Sequence, residues 1–270
     1  AAFALEIHRL GCDNTLYLIF QHAEEIGAGA IECVPLLEEE GIEAIYGWHN
    51  QCDFPLGEVA VREDTMQCAS KGMSIFFEGA PAHASDPGVG RNPAMAIARL
   101  IQALPGLYRA EDHQGLVLCT VIHVEIGEPA FGTSASKGVL RLTIRGENEW
   151  EMDKLEKRID GLAWGLCAEY GLTCRTEFCD VFPETRNHKE SVDHLRAVCG
   201  ELGIPVHIMP HPERSSEDFG HFTKVAKGVY FFLGNGNEIS HHTVNFDFPD
   251  GLLRPAVDIF CRLAEVKTEK

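Results

Sequence analysis

Residues 15–25 read TLYLIFQHAEE, a nearly continuous apolar run that ends in two adjacent carboxylates. Such a run, without regular alternation, predicts a short strand at 15–20 that is buried on both faces. A helical pattern over 29–40 then stops at a glycine, and residues 44–48 form another short strand that we expect to be buried. This strand–helix–strand succession predicts an α/β layer.

The pattern changes near residue 70, where six further elements follow one another in the order β-α-β-β-α-β. This order is that of a ferredoxin-like unit. The predicted segments are 72–78, 92–104, 115–126, 134–145, 149–170 and 172–179. The α/β rhythm then returns, with helices at 191–202, 216–225 and 250–266 and strands at 206–209 and 229–233. We therefore predict one mixed-sheet α/β domain, residues 1–70 and 184–270, interrupted by an inserted α+β domain at 71–183.

Composition excludes some classes of partner. The chain has 270 residues and a formal net charge of −18, which argues against nucleic acid or an anionic membrane as partner, since both require a basic face. Its ten cysteines are scattered without a CxxC pair, which predicts reduced thiols and a cytoplasmic location. Residues 1–9 lack the layout of a signal peptide, and no apolar run reaches the roughly 18 residues of a membrane span.

Side chains suited to catalysis or metal binding follow three of the predicted strands. Glu24 and Glu25 come after the first strand, His49 after the second, and His241 and His242 after the last. Open α/β sheets bind ligands beyond the carboxyl ends of their strands. Adjacent carboxylates repel each other unless a cation or a proton lies between them, so one could bind a metal while its neighbour moves protons. One carboxylate and two imidazoles would form a partial coordination shell for zinc or manganese.

Each of these features also has a plain structural interpretation. Acidic residues suit the start of a helix, a single histidine after a strand is often a hydrogen-bonded structural residue, and a histidine pair in a loop is often simply exposed. The residues and their spacing alone leave both interpretations open.

Several motifs are similar in sequence to those of the M20 family of metallopeptidases, especially its aminoacylase, hippurate-hydrolase and auxin-conjugate-hydrolase branch. The segments that resemble family motifs are 18–25 (LIFQHAEE, family FQPAEE), 46–49 (YGWH, family GLH or GIH), 79–87 (GAPAHASDP, family GKGGHAAxP), 215–219 (SSEDF, family GSEDF) and 242–248 (HTVNFDF, family HNPRFDF). They occur in the family's order, and the resemblance covers essentially the whole chain.

The resemblance implies a metallopeptidase catalytic domain with an inserted ferredoxin-like lid or dimerisation domain, and a homodimer formed through the latter. It implies hydrolysis of an amide bond in an N-acyl amino acid or a small peptide, with zinc or manganese as cofactor, two ions in the intact protein. Glu24 matches the general base, while Glu25, His49 and His242 match metal ligands; His242 is chosen over its neighbour by counting back from the FDF end of its motif. His83 matches a substrate-binding histidine that reaches across the dimer.

The sequence also departs from the family pattern. The family's HACGHD segment, which supplies the remaining metal ligands, has no counterpart in residues 1–19. We therefore expect a native protein longer by roughly a hundred residues, and an inactive fragment. Two alternatives stay open: a dipeptidase or carboxypeptidase of the same fold, and a non-catalytic binding or assembly protein with an incomplete metal site.

Overall fold

The computed structural model describes residues 1–236, 239 and 241–266. The α-helices in this part of the chain are α1 (Ala2–Leu10), α2 (Gly29–Glu39), α3 (Ala94–Ala103), α4 (Glu149–Tyr170), α5 (Lys189–Leu202), α6 (Gly220–Thr223) and α7 (Leu253–Leu263). The strands are β1 (Ala44–Gln51), β2 (Val59–Val61), β3 (Asp64–Gln67), β4 (Ala69–Glu78), β5 (Val117–Ile126), β6 (Lys137–Gly146), β7 (Thr173–Phe182), β8 (Thr185–Asn187), β9 (Val206–Ile208) and β10 (Lys227–Gly234).

The first sheet is mixed, as predicted, and has the strand order β1-β10-β2-β9. The pairs β1–β10 and β2–β9 are parallel, whereas β10 and β2 are antiparallel. Strand β10 is apolar along both faces because both are covered. Phe231 packs in the core that α5 and α7 close, and Phe232 packs in the core that α2 and α6 close. Each fully buried phenylalanine stabilises the fold by about 1.5–3 kcal/mol.

The prediction of a buried strand at residues 15–20 is wrong. These residues lie in the described part of the chain and form no strand. Strand β1 is present as predicted. Its predicted burial is wrong, because most of its residues are only half-buried. Within the described residues β1 pairs with β10 alone, so its other edge remains open. An apolar run becomes a buried strand only where a neighbouring strand accepts its backbone hydrogen bonds.

The second sheet is antiparallel, with the order β5-β6-β4-β7. Helices α3 and α4 pack on one face and bury Ile97 and Leu155 against Ile75 and Leu142. The predicted β-α-β-β-α-β succession is therefore present in the structure. The division of the chain into domains at residues 70 and 183 stays a prediction, as does the role of this unit as a lid.

Helix α4 shows why some bounds could be predicted closely. The side chain of Asn148 accepts a hydrogen bond from the backbone N–H of Glu151 at 2.9 Å and so caps the helix start. Gly171 ends the helix in the left-handed conformation, with φ 65°. Both are local signals that the sequence carries.

The helix predicted at 216–225 is wrong over its first half, because only α6 is helical there. Hydrogen bonds with Cys68 and with Arg145 of β6 hold the preceding segment in a non-helical conformation. The backbone N–H of Cys68 donates to the carbonyl oxygen of Ser215 at 3.2 Å, and Arg145 Nη1 donates to Ser216 Oγ at 2.8 Å. Tertiary hydrogen bonds thus override the local helical pattern.

None of the described helices combines the length and the apolar character that crossing a membrane requires.

Candidate functional site

The two adjacent carboxylates lie on a strained turn. Ala23 adopts the left-handed conformation with φ 55°, which costs a residue with a Cβ roughly 1–2 kcal/mol. Glu24 and Glu25 then begin a 3₁₀ turn that ends at Gly27. A Cβ on Gly27 would lie 2.6 Å from the carbonyl oxygen of Val181, so this turn packs directly on β7. The turn gives the two carboxylates different surroundings: Glu24 is half-buried, and Glu25 is exposed.

Glu24 faces two further carboxylates from the other end of the chain. Glu217 and Asp218, in the SSEDF segment, lie with Glu24 so that one oxygen of each falls within 4.8 Å of the others. Both are buried, at 8% and 0% exposure. Both residues belong to the SSEDF motif, and no chemical role was predicted for either of them from the sequence.

Asp218 anchors this cluster to the start of α2. Its Oδ2 accepts hydrogen bonds from the backbone N–H groups of Gly29 and Ala30, at 3.1 and 2.8 Å. Its Oδ1 accepts one from Gln21 Nε2 at 2.8 Å. Asp218 therefore acts as a helix cap supplied from a distant part of the chain, and its charge lies at the positive end of the helix dipole.

Glu217 is held by a tyrosine. Tyr230 Oη donates a hydrogen bond to Glu217 Oε2 at 2.5 Å, and both side chains are buried. Burial raises the pKa of Glu217, while its hydrogen bonds with Tyr230 and Glu24 work in the opposite direction. Burial and the Glu217 carboxylate raise the pKa of Tyr230 well above its ordinary value. The phenol therefore keeps its proton and acts as a donor.

The same surroundings raise the pKa of Glu24 to about 8. Burial is the largest cause, and the neighbouring carboxylates of Glu217, Asp218 and Glu25 add to it. A carboxyl group with such a pKa can exchange a proton near neutral pH, which is the range a general acid or base requires.

The histidines lie at the end of the parallel pair β1 and β10. His49, on β1, and His241 are neighbours, with ring centroids 5.1 Å apart. Asn50 binds both: its carbonyl oxygen lies 2.6 Å from His49 Nδ1, and its Oδ1 lies 2.8 Å from His241 Nε2. Burial lowers the pKa of His241, and the nearby His49 and His242 act in the same direction. His242 is exposed and left-handed, with φ 60°.

His83 lies apart from these residues, in the segment that follows β4. Its Nδ1 accepts a hydrogen bond from the backbone N–H of Ser85 at 3.2 Å and lies 2.7 Å from Ser85 Oγ. Its backbone forms an isolated bridge with Thr133. The ring is held by its own loop, and the residue is exposed.

The predicted metal ligands do not converge in this structure. In residues 1–236, 239 and 241–266, the one group of three or more potential ligands within 4.8 Å is Glu24, Glu217 and Asp218. That group is a poor metal site, because the oxygens of Asp218 accept N–H donors and Glu217 accepts the Tyr230 hydroxyl. Glu25, His49 and His242 form no such group here, so the arrangement shown does not by itself complete a coordination shell.

An open cleft borders the site. It has a volume of about 890 Å³ and is lined by residues 14–21 on one side and by residues of β1, including Tyr46 and Trp48, on the other. Glu217, Asp218 and Tyr230 also line it. The acidic cluster can therefore be reached from the exposed edge of β1.

Several known proteins are similar to this chain in sequence. A model of the peptidase family M20/M25/M40 matches residues 1–266. Hippurate hydrolase of Campylobacter jejuni is 29% identical over 93% of this chain and 67% of its own length. N-acetylcysteine deacetylase of Bacillus subtilis is 25% identical over 99% of this chain and 70% of its own length. The chain thus spans about two thirds of the length of these relatives.

A solved structure supports the fold. A Bacillus subtilis protein, described as a dinuclear metal-binding peptidase of the M20 family, superposes with a TM-score of 0.76 at 21% identity. The match covers 91% of this chain and 63% of the other. At this level of identity the likeness establishes the fold, not the substrate or the ligands.

Proposed function

Because the chain belongs to the peptidase family M20/M25/M40, we propose that it forms part of a metal-dependent enzyme that hydrolyses an amide bond in an N-acyl amino acid or a small peptide. One observation carries the proposal. The adjacent carboxylates have different surroundings, since Glu24 contacts the buried acidic cluster and Glu25 faces solvent. Two neighbouring carboxylates in unlike surroundings can perform different tasks, which is what water activation beside a cation requires.

In this proposal Glu24 is the general base. It accepts a proton from the attacking water and later returns it to the leaving amine. A divalent metal, when bound, polarises the scissile carbonyl and lowers the pKa of water from 15.7 toward about 7. The names of the two relatives, hippurate hydrolase and N-acetylcysteine deacetylase, favour an N-acyl amino acid over other amides as the substrate.

The test of the function is a substrate panel. The full-length protein, loaded with zinc or manganese, should hydrolyse N-benzoyl and N-acetyl amino acids, and a chelator should abolish the activity. Dipeptides with a free amino terminus are the control for the alternative of a dipeptidase or carboxypeptidase. Preference for them would move the assignment to that alternative, and no hydrolysis of either set would contradict the proposal.

We propose Glu25, His49 and His242 as metal ligands. A structure of the metal-loaded full-length protein should place their side-chain atoms about 2.0–2.3 Å from an ion. Because His241 is the neighbour of His49, the same structure decides between the two adjacent histidines. Side chains farther than about 6 Å from a common centre would contradict the assignment, since ligand bonds are near 2 Å.

A non-catalytic binding protein is the second candidate. The observation that favours it is the failure of Glu25, His49 and His242 to converge among the described residues. A metal-loaded full-length protein that binds N-acyl amino acids without hydrolysing them would support this candidate.

The remaining parts of the proposal concern partners and location. We propose a homodimer formed through the antiparallel sheet, with His83 reaching the partner's substrate, and a cytoplasmic location. Apolar side chains of the edge strand β5 support a contact there, since Val121, Ile122 and Val124 are exposed. The mass of the full-length protein in solution tests the dimer.

A further inference from the structure

Contacts with other residues hold both the backbone and the ring of Tyr230 in place. It lies on β10, between β1 and β2. Its backbone N–H donates to Asn187 Oδ1 at 2.7 Å, and its carbonyl oxygen accepts from Asn187 Nδ2 at 2.8 Å. Its ring contacts Phe219 at 5.1 Å and Phe232 at 6.3 Å between centroids. The position of the hydroxyl group is therefore set by both backbone and ring.

This hydroxyl group determines where the Glu217 carboxylate lies. The Tyr230 Oη–Glu217 Oε2 hydrogen bond is 2.5 Å long and buried. The backbone of Glu217 is held as well, because its carbonyl oxygen accepts from Thr185 Oγ1 at 3.1 Å. Glu217 in turn faces Glu24, since a carboxyl oxygen of each residue lies within 4.8 Å of the other.

Glu24 needs such support. It lies in a short 3₁₀ turn after the left-handed Ala23, and its side chain has three rotatable bonds. No long helix or strand sets its direction. A general base must be held within hydrogen-bond reach of the water it deprotonates, and a displacement of about 1 Å can cost roughly 100-fold in rate.

We propose that Glu217 and Tyr230 are positioning residues for Glu24. Tyr230 fixes Glu217, and Glu217 holds the Glu24 carboxyl group in the orientation from which it acts on water. This inference rests on the proposed function, in which Glu24 is the base. It assigns a task to the Glu-Asp pair of the SSEDF segment: Asp218 caps α2, and Glu217 orients the base.

A positioning role and a purely structural role of Tyr230 predict different results when its hydroxyl group is removed. Tyr230→Phe removes the donor and keeps the ring contacts. In the full-length, metal-loaded protein it should lower kcat by roughly 10- to 100-fold and leave KM nearly unchanged, while the melting temperature falls by a few degrees because a buried carboxylate loses its donor. Tyr170→Phe is the matched control, because it removes a tyrosine hydroxyl that contacts Arg99 at 3.2 Å, far along the chain in the antiparallel unit.

Two substitutions at Glu217 provide the rescue. Glu217→Gln keeps an oxygen that accepts from Tyr230 and gains an N–H group that can donate to Glu24, so it should keep most of kcat. Glu217→Ala removes both contacts and should lose as much as Tyr230→Phe. This pair also decides the matter if Tyr230→Phe fails to fold.

Failure of the inference and failure of the function are distinguishable. If the wild-type protein hydrolyses nothing in the panel, the function fails, while a crystal structure of Tyr230→Phe still shows whether Glu24 has turned from its wild-type orientation. An active wild type with unchanged kcat in Tyr230→Phe, a loss confined to KM, or an unmoved Glu24 would each overturn the positioning role.

Discussion

Replacing Glu24 by glutamine in the full-length protein should abolish turnover, with kcat lower by roughly 10²- to 10⁴-fold. Glutamine has the shape of glutamate but cannot accept the proton of the attacking water. The measurement is steady-state hydrolysis of the best substrate in the panel, with metal content determined alongside. Glu38→Gln, an equivalent change at an exposed position on α2, is the control and should leave kcat unchanged.

Stability separates this effect from misfolding. Glu24 lies close to Glu217 and Asp218, and this crowded acidic cluster disfavours its ionised form, a cost that a neutral amide does not have. The Gln variant should therefore unfold at the same temperature as the wild type or at a higher one. Near-normal turnover in the Gln variant would contradict the role of Glu24 as base.

The sequence predicted the elements whose signals are local. Helix α4 carries its own cap at Asn148 and its own stop at Gly171, and its predicted bounds, 149–170, are the observed ones. The antiparallel strands alternate along their length, as β4 does in its burial, so each could be recognised separately.

Elements that depend on distant partners were predicted less well. Residues 15–20 have the composition of a buried strand, but a strand also requires a neighbour, and periodicity does not report one. Strands β2, β3 and β8 have three or four residues each, too few for a period to show. Each is held by pairing with a strand from a distant part of the chain.

Part of the candidate site could likewise be predicted from the sequence, and part of it could not. Glu24 and Glu25 could be named because they are adjacent in the chain and follow an apolar run. The link from Glu24 through Glu217 to Tyr230 joins residues from opposite ends of the chain, and only the folded structure brings them together. The contact between His49 and His241 is likewise a product of the fold, and it is one residue away from the histidine chosen by motif counting.

The largest expected effect on stability lies in the antiparallel unit, at a buried histidine–glutamate pair. His113 Nδ1 lies 2.6 Å from Glu151 Oε2, and His113 Nε2 lies 3.0 Å from the carbonyl oxygen of Leu107. Both side chains are at most 1% exposed. Glu151 also accepts the backbone N–H of Gln114 at 3.0 Å, so it joins the loop before β5 to the first turn of α4.

Glu151→Ala should therefore lower the free energy of unfolding by about 3–5 kcal/mol, because it leaves a buried histidine and a backbone N–H without their acceptor. Denaturant unfolding measures the change. Glu169→Ala is the control: Glu169 pairs with Arg99 on the surface of the same unit, and loss of an exposed pair costs at most about 1 kcal/mol.

The pH dependence of the stability provides a second test of how Glu151 stabilises the fold. Burial acts to raise the pKa of Glu151, but the N–H of Gln114 and the ring of His113 outweigh it and hold that pKa below its ordinary value. A carboxyl group whose pKa is lower in the folded state stabilises the fold above the unfolded pKa of about 4.3, and this stabilisation disappears as the pH falls through the folded pKa. The difference between wild type and Glu151→Ala should thus be full at neutral pH and shrink on acidification below about pH 4. A difference that stays constant down to acid unfolding would mean that the lost packing of the side chain, and not its charge, accounts for the effect.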